Sequence, residues 1–322
     1  MENKIRSVLG IDVGGTKIKA GLVDSEGKIY EEAVISTKLE KGSEYVLGQI
    51  AGIINTYKRS VTKNIDGVGL ALPGAVDDSN GQCLYCSNLG WENIEIRNRI
   101  TAPTGIPLRL INDANAACLG EYFFGGGIGA KTLLSITLGT GVGSGLIING
   151  HLFNGASGSG VEAGHMVIEP NGYQCTCGRK GCWETLISAS GIVRRTKERM
   201  KGIEKENFLK KIGNDNLLST EAIFQAYREG DSIAKEVVDE TISYLVIGLT
   251  NLINLFNPSK ISLGGGVAEA DEIVTQNLMS KINNEIFHTL RGKVEIYKSV
   301  QGYYGGVVGA ACLWLRDIKK YN

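Results

Sequence analysis

The sequence predicts an α/β protein built from two related lobes around a cleft, and three observations support this fold class. Glycine is frequent and clustered, with 44 glycines among 322 residues, about twice the ~7% of an average protein. The clusters IDVGGTK (11–17) and LGTGVGSG (138–145) each separate two apolar runs, which is the order of strand, turn and strand. Each half then alternates strands with helical patterns, as α/β proteins do.

The first half begins with a predicted strand at 7–13, a glycine turn and a second strand at 18–23. An apolar stripe from Val46 to Tyr57 has helical spacing and predicts a helix. The runs GVGLAL (67–72) and PLRLIN (107–112) predict two further strands, and a helix is expected from about Ala114.

The second half repeats the order, with a strand at 133–138, a glycine turn at 139–143, a strand at 146–148 and a hairpin turn at 149–150. A helix is predicted over 233–256, ended by Asn257 and Pro258. A strand in KISLGGG (260–266), a helix at about 271–290, a strand in KVEIYKSV (293–300) and a last helix at about 304–318 follow. We therefore predict lobes at 1–122 and 123–302, with the C-terminal segment of about 303–322 packing back on the first lobe.

Charge and composition narrow the class of partner. Lysine and arginine together number 34, as do aspartate and glutamate, so no overall positive field favours nucleic acid or an anionic membrane. The N-terminus MENKIRSVLG lacks the apolar region of a signal peptide, and no apolar stretch approaches the roughly 20 residues of a membrane span. We expect a cytoplasmic protein with neither nucleic-acid nor membrane partners.

Seven cysteines, an odd number in a reducing compartment, argue against a disulfide framework. His165, Cys175, Cys177 and Cys182 form a Cys₃His set that suits tetrahedral Zn²⁺; the alternative is a glycine-rich loop of unliganded thiols. Four protein ligands close the metal's coordination, so we expect a structural ion that fixes His165 and leaves its second ring nitrogen as a donor. Cys83 and Cys86 lack partner ligands and are interpreted as free thiols.

Two glycine-rich motifs suggest nucleotide binding but are not followed by the helix that such motifs require. GGGIGAKT (125–132) has Ala130 where a P-loop requires glycine before lysine, and it precedes a strand rather than a helix. GTGVGSG (139–145) is also followed by a strand, so it is not a dinucleotide fingerprint. We therefore expect neither a P-loop nor a Rossmann fold.

Several chemistry-bearing residues follow predicted strands. Asp113 lies between a strand and a helix, so it is either a base in the cleft or the N-cap of that helix, and its position favours neither role. Asp12, beside backbone N–H groups, suits Mg²⁺ or its waters, whereas phosphate donors are offered by Gly14, Gly15, Thr16 and Lys17. The alternative for this turn is a simple tight hairpin.

Together these motifs resemble the ROK family of sugar kinases, repressors and open reading frames. The resemblance rests on DVGGTK (12–17), INDANAACLGE (111–121), LGTGVGSG (138–145), EAGH (162–165) and CTCGRKGCWE (175–184), in the family's order, and covers about residues 7–310. It implies a two-lobed, actin-like ATPase (ribonuclease H-like) fold and an ATP- and Mg²⁺-dependent hexose kinase. SNLGW (87–91) is similar to the N-L-x-W stretch of the family's bacterial glucokinases and implies glucose as the acceptor.

The resemblance also implies residue roles and an assembly. Asp113 corresponds to the general base, and the implied sugar ligands are Asn88, Asn112, Asp113, Glu162, His165 and Glu184. The implied second phosphate loop is Gly139, Thr140 and Gly141, and the adenosine loop is Gly264, Gly265 and Gly266. A homodimer or homotetramer is the expected assembly.

Three alternatives stay open at this point. Fructose, allose, mannose, N-acetylmannosamine or N-acetylglucosamine would use largely the same polar ligands, and polyphosphate would be a rival donor, although the adenosine loop favours ATP. A sugar-sensing repressor would need a DNA-binding region ahead of the first strand, which we do not expect because that strand begins by Ser7. A non-catalytic sugar-binding module would have lost its base, whereas Asp113 is present.

Overall fold

The computed structural model describes residues 7–60, 65–201, 208, 217–273, 275–316 and 319–320. The chain divides into two compact units. Unit 1 comprises Met1–Ser135, Gly145–Val161 and Ser299–Asn322, and unit 2 comprises Ile136–Ser144 and Glu162–Lys298. The lobes expected at 1–122 and 123–302 have other boundaries than these units, and they stay a prediction.

Strands and helices alternate along much of the chain. The strands are β1 (Val8–Val13), β2 (Lys17–Val23), β3 (Ile29–Ser36), β4 (Gly67–Leu72), β5 (Ala75–Asp77), β6 (Gln82–Cys86), β7 (Trp91–Glu95), β8 (Leu108–Asn112), β9 (Thr132–Leu138), β10 (Val142–Ile148), β11 (His151–Leu152), β12 (Lys260–Gly264), β13 (Glu295–Lys298) and β14 (Lys319–Lys320). The α-helices are α1 (Ser43–Ser60), α2 (Arg97–Thr104), α3 (Asp113–Phe124), α4 (Glu184–Ile187), α5 (Ala189–Arg199), α6 (Thr220–Arg228), α7 (Ser232–Phe256), α8 (Gln276–Glu285) and α9 (Gly305–Leu315).

A five-stranded sheet in the order β3-β2-β1-β4-β8 forms the centre of unit 1. Strands β1, β2 and β3 pair antiparallel, while β4 and β8 extend the sheet in parallel from β1. Helix α1 buries the predicted stripe from Val46 to Tyr57 in the same core as Leu9, Ile11 and Val13 of β1. The four strands predicted for this half and both of its predicted helices, which are α1 and α3, are therefore confirmed.

The C-terminal helix α9 packs on β1, β4 and α3 within unit 1. Glycines permit this close approach, since a Cβ on Gly309 would lie 1.6 Å from the carbonyl oxygen of Ala116, and one on Gly69 would lie 1.9 Å from that of Ala310. Helix α9 ends at Leu315, short of the predicted end near residue 318. Residues 317–318 lie outside the described part of the chain.

Unit 2 is built around the long helix α7. Asp231 caps its N-terminus by accepting a hydrogen bond from the backbone N–H of Ala234, and Asn257 ends it in the left-handed conformation at φ 43°. The helix predicted over 271–290 was too long: α8 spans Gln276–Glu285, because Thr275 caps it and the backbone is extended at Ile286. Residue 274 of that prediction lies outside the described residues.

Two further sheets complete the architecture. Strands β5, β6 and β7 form an antiparallel sheet, and six strands form another in the order β13-β12-β9-β10-β11-β14. Strand β9, a glycine turn and β10 repeat the order of β1, turn and β2, as predicted, although β10 begins at Val142 rather than near residue 146. Within the residues that the structure describes, no helix is both long and apolar enough to cross a membrane.

Candidate functional site

The first glycine turn joins β1 to β2 in unit 1. The backbone N–H of Gly14 donates to the carbonyl of Lys17 at 2.9 Å, and the hydroxyl of Thr37 donates to the carbonyl of Gly14 at 2.8 Å. A Cβ on Gly15 would lie 3.3 Å from the carbonyl oxygen of Asn88, so the turn lies against the backbone of another predicted site residue.

Asp12 precedes this turn and is paired with a residue that the sequence reasoning missed. The Nζ atom of Lys19 lies 2.7 Å from Oδ2 of Asp12. The predicted phosphate ligand Lys17 is exposed and lies opposite Ser36 in the β2–β3 register. Only the antiparallel register of β1 and β2, which places Lys19 opposite Asp12, could have revealed the ion pair.

Asn112 and Asp113 occupy the junction of β8 and α3. Asn112 is the N-cap: its Oδ1 accepts from the backbone N–H of Asn115 at 3.0 Å, and its Nδ2 donates to the carbonyl of Gly74 at 3.0 Å. Asp113 is the first helical residue, and its Oδ1 accepts from the N–H of Ala114 at 2.8 Å. The capping role proposed as the alternative for Asp113 therefore belongs to Asn112.

Asn88 lies in the turn between β6 and β7, next to two buried thiols. It is exposed, whereas Cys83 and Cys86 of β6 are at most 1% exposed. Burial raises the pKa of Cys86 to about 11; the N–H groups of Leu89 and Asn88 oppose the rise, and the charge of Asp113 adds to it. Burial raises the pKa of Cys83 to about 12, so both thiols are neutral at physiological pH, as expected of buried free cysteines.

Unit 2 brings together the four predicted metal ligands. The donor atoms of His165, Cys175, Cys177 and Cys182 all lie within 4.8 Å of one another. Nδ1 of His165 is 3.6 Å from Sγ of Cys175, and the Sγ atoms of Cys177 and Cys182 are 3.6 Å apart. Tetrahedral Zn²⁺ with ordinary bond lengths separates two thiolates by about 3.8 Å and a thiolate from an imidazole nitrogen by about 3.6 Å. The residues fit such an ion.

The loop that carries these ligands depends on glycine for its shape. Gly178 and Gly181 adopt φ values of 89° and 73°, and a Cβ on Gly181 would lie 1.6 Å from the carbonyl oxygen of Glu169. Gly178 donates its N–H to the carbonyl of Cys175 at 3.0 Å. The two positive-φ positions and this hydrogen bond fold the ligands into one loop, and glycine adopts such φ values without the strain that a Cβ would cause.

Glu162 and Glu184 interact with the predicted metal ligands of unit 2. Glu184 begins α4, and its Oε2 accepts from the N–H of Val142 at 2.9 Å. Its Oε1 lies 3.8 Å from Sγ of Cys175. Partial loss of hydration raises the pKa of Glu162, an effect that His165 opposes and Glu184 reinforces. Because Nδ1 of His165 faces the thiols, Nε2 is the nitrogen that remains for another partner.

The second and third predicted nucleotide turns also lie in unit 2. Gly139 accepts from the N–H of Ala189 at 2.8 Å, and the hydroxyl of Ser190 donates to the carbonyl of Thr140 at 2.8 Å. Gly264 ends β12, and a Cβ on Gly265 would lie 2.4 Å from the carbonyl oxygen of Leu138. The two turns are therefore neighbours, although they are far apart in sequence.

Unit 1 thus holds the first turn with Asp12, Asn88, Asn112 and Asp113, and unit 2 holds the other two turns, the four predicted metal ligands, Glu162 and Glu184. The chain has the actin-like ATPase fold, which its structural neighbours share. The ROK family's sequence pattern matches residues 8–317. The chain belongs to the ROK family.

Individual relatives show what the chain resembles. A glucokinase of Thermotoga maritima is 35% identical over 307 residues, which are 95% of this chain and 96% of that protein. The crystal structure of a ROK family glucokinase from Streptomyces griseus in complex with glucose and AMPPNP has a TM-score of 0.84 and 33% identity, and the match covers 95% of this chain and 98% of that one. The xylose repressor of Bacillus subtilis is 28% identical over 311 residues, 95% of this chain but 76% of the repressor.

Proposed function

We propose that the protein is a glucokinase that transfers the γ-phosphoryl group of ATP to the 6-hydroxyl of D-glucose. Glucokinases that are 35% and 32% identical over nearly the whole chain support the reaction class, and the protein is a phosphotransferase of the sugar-kinase type. The observation that carries the proposal is Asp113 at the start of α3, where its neighbour Asn112 already caps the helix.

Asp113 is the proposed general base. A sugar hydroxyl gives its proton to the Asp113 carboxylate as its oxygen attacks the γ-phosphorus, and the bond from that phosphorus to the β–γ bridging oxygen breaks to release ADP. The N-terminus of α3 stabilises the ionised carboxylate, which is the form that accepts a proton. Asn112, fixed by two hydrogen bonds, is the proposed neighbouring sugar ligand.

Glu162, His165 and Glu184 are proposed to bind sugar hydroxyls, and Asn88 is proposed as a further sugar ligand. Val142 holds Oε2 of Glu184, so we assign Oε1 as the acceptor from the sugar. Nε2 of His165 is the proposed donor, because Nδ1 faces the metal ligands. A side chain that is already fixed by a contact at another of its atoms loses less conformational entropy when it binds a ligand, which favours these roles.

The three glycine turns are the proposed nucleotide contacts. The N–H groups of Gly14 and Gly139 bond within their own turns, so the other backbone N–H groups at 14–17 and 139–141 are the proposed donors to phosphate oxygens. The turn at 264–266 is assigned to adenosine. Asp12 is proposed to hold Mg²⁺ or its waters; the ion, when bound with ATP, neutralises charge on the phosphates.

We assign a structural Zn²⁺ to His165, Cys175, Cys177 and Cys182. Four protein ligands leave no open position for substrate, so the proposed role of the ion is to orient His165. A reducing cytoplasm would keep these thiols available as ligands. A homodimer or homotetramer is the proposed assembly.

An ADP-release assay across a panel of hexoses and amino sugars tests the reaction. Glucose should give the largest kcat/KM, whereas a larger value for mannose, fructose or an N-acetyl sugar would name a different acceptor. Replacing ATP with polyphosphate in the same assay tests the donor. Asp113→Asn should lower kcat by at least about 100-fold while the Kd for glucose changes little, since general bases contribute about 10²–10⁴-fold. Full activity of this variant would exclude Asp113 as the base.

A second candidate function is sugar sensing without catalysis, which the similarity to the xylose repressor favours. A sensor would bind a sugar in calorimetry yet release no ADP with any acceptor. Binding of glucose together with glucose-dependent ADP release would exclude it.

A further inference from the structure

Lys19 is a charged residue beside the first glycine turn that none of the roles above uses. It lies opposite Asp12 in the β1–β2 register, and the two residues bracket the turn at 14–16. We propose that Lys19 binds the β- or γ-phosphate of the nucleotide and that Asp12 and the chain at residue 303 hold its ammonium in place for this. The inference rests on the proposed ATP-dependent function.

The ammonium of Lys19 is fixed from two directions. It lies 2.7 Å from Oδ2 of Asp12 and donates to the carbonyl of Tyr303 at 2.9 Å. It also lies 4.6 Å from the centre of the Tyr303 ring, which adds a cation–π contact. A lysine ammonium has three donors, so these two hydrogen-bonded partners leave one donor for an anion.

The surroundings of Asp12 allow Asp12 and Lys19 to exchange each other for a cation and a phosphate when a nucleotide binds. A Cβ on Gly306 would lie 2.7 Å from Cγ of Asp12, so the carboxylate rests against the N-terminal turn of α9. The partial positive charge of that helix end stabilises the carboxylate alongside Lys19. A metal-bound nucleotide offers each member of the pair a partner of opposite charge: the cation for Asp12 and the phosphate for Lys19.

Lys17, which the sequence suggested as the phosphate ligand, is less fixed. It is exposed, and no ion pair is recorded for it within the described residues. The side chain of Lys19 is 19% exposed and already ordered by Asp12. Ordering a free lysine costs up to about 2 kcal/mol of side-chain entropy, so Lys19 is the better prepared of the two to bind an anion.

Lys19→Met tests the proposal through nucleotide binding as well as turnover. Calorimetry should show MgATP and MgADP binding at least tenfold more weakly than to the unchanged protein. Binding of AMP and glucose should change less than threefold, because neither ligand carries a β- or γ-phosphate. Lys28→Met is the matched control: it removes the same charge from a lysine 5.0 Å from the Tyr30 ring, and all four affinities should stay the same.

Three results would overturn the proposal. The first is a folded Lys19→Met variant that binds MgADP as the unchanged protein does. The second is an equal loss for ADP and AMP, which indicates general damage to the site. The third is a loss of ADP affinity seen only with Mg²⁺, which would mean that Lys19 acts through Asp12 alone; ADP without added Mg²⁺ must therefore also bind more weakly to the variant than to the unchanged protein. If Lys19→Met prevents folding, Lys19→Gln is measured in its place with the same expectations. Absence of ADP release by the unchanged protein would refute the kinase proposal instead.

Discussion

Gly141 is the residue whose substitution most directly tests the proposed role of Glu184. An ideal Cβ at position 141 would lie 2.5 Å from Oε2 of Glu184, whereas ordinary van der Waals contact begins at 3.4 Å. In Gly141→Ala the carboxylate must therefore move by about 1 Å, which breaks its 2.9 Å hydrogen bond from the N–H of Val142. The fold should persist, because the displaced atom is the end of a flexible side chain.

The magnitude follows from the hydrogen bond that is lost. A hydrogen bond to a charged group contributes about 1.5–3 kcal/mol, which corresponds to about a 10- to 150-fold change in an equilibrium constant. If Glu184 binds the sugar only when Val142 holds it, the Kd for glucose should rise by up to that factor. Alanine keeps the backbone N–H of residue 141, which is the proposed phosphate contact, so the KM for ATP should change much less.

Calorimetry with glucose and the ADP-release assay measure these two effects separately. Gly139→Ala is the control in the same turn, because a Cβ there meets no heavy atom within 4 Å; its Kd for glucose should stay within about twofold. An unchanged Kd for glucose in folded Gly141→Ala would refute the reasoning, since it would mean either that Glu184 needs no support from Val142 or that it does not bind the sugar.

Metal analysis should give close to one zinc per chain, and Cys177→Ser should weaken glucose binding by about 10- to 100-fold; zinc-free protein with unchanged affinity would contradict the orienting role. Burial raises the pKa of Cys83 to about 12 and that of Cys86 to about 11, so both should resist iodoacetamide at about pH 8 and react after unfolding in urea. Rapid alkylation of the folded protein at about pH 8 would disprove this resistance. The neutral thiol of Cys86 contributes stability below the ordinary pKa of 9.0, and this contribution should be lost as the pH rises toward about 11; urea midpoints that do not fall over this pH range would contradict it. Gly309→Ala forces a Cβ to 1.6 Å from the carbonyl of Ala116 and should lower the free energy of unfolding by about 3 kcal/mol. Urea unfolding measures this, with Gly48→Ala as the control because a Cβ there meets open space; equal urea midpoints for the two variants would contradict it.

Local features were the most predictable from the sequence. The strands that flank the glycine turns could be predicted because an apolar run followed by glycine is a short-range signal, and β1 and β9 begin and end within a residue of the expected positions. The candidate metal-ligand set was equally accessible, since its four residues lie between positions 165 and 182 and their donor atoms lie within 4.8 Å of one another. In both cases the information is contained in one short stretch of chain.

Features that depend on register or on distant segments were missed. The ion pair of Lys19 with Asp12 requires knowing which residues of β1 and β2 lie opposite one another. The bond from Val142 to Glu184 joins residues 42 positions apart. The helix predicted over 271–290 failed for another reason: apolar spacing continued past the true ends, and the cap at Thr275 with the extended backbone at Ile286 decided them.

The junction of β8 and α3 shows how the structure separates two roles that the sequence could not. Asparagine and aspartate are both good N-caps, so the sequence allows either Asn112 or Asp113 to be the N-cap of the helix. The structure gives the cap to Asn112, whose Oδ1 accepts from Asn115, and places Asp113 inside the first turn. Asparagine at position 113 would still offer an oxygen to the N–H of Ala114, as Oδ1 of Asp113 does at 2.8 Å. Asp113→Asn therefore removes the charge and the basicity but keeps the cap and the hydrogen bond, so a loss of turnover in that variant reports on proton transfer rather than on the stability of α3.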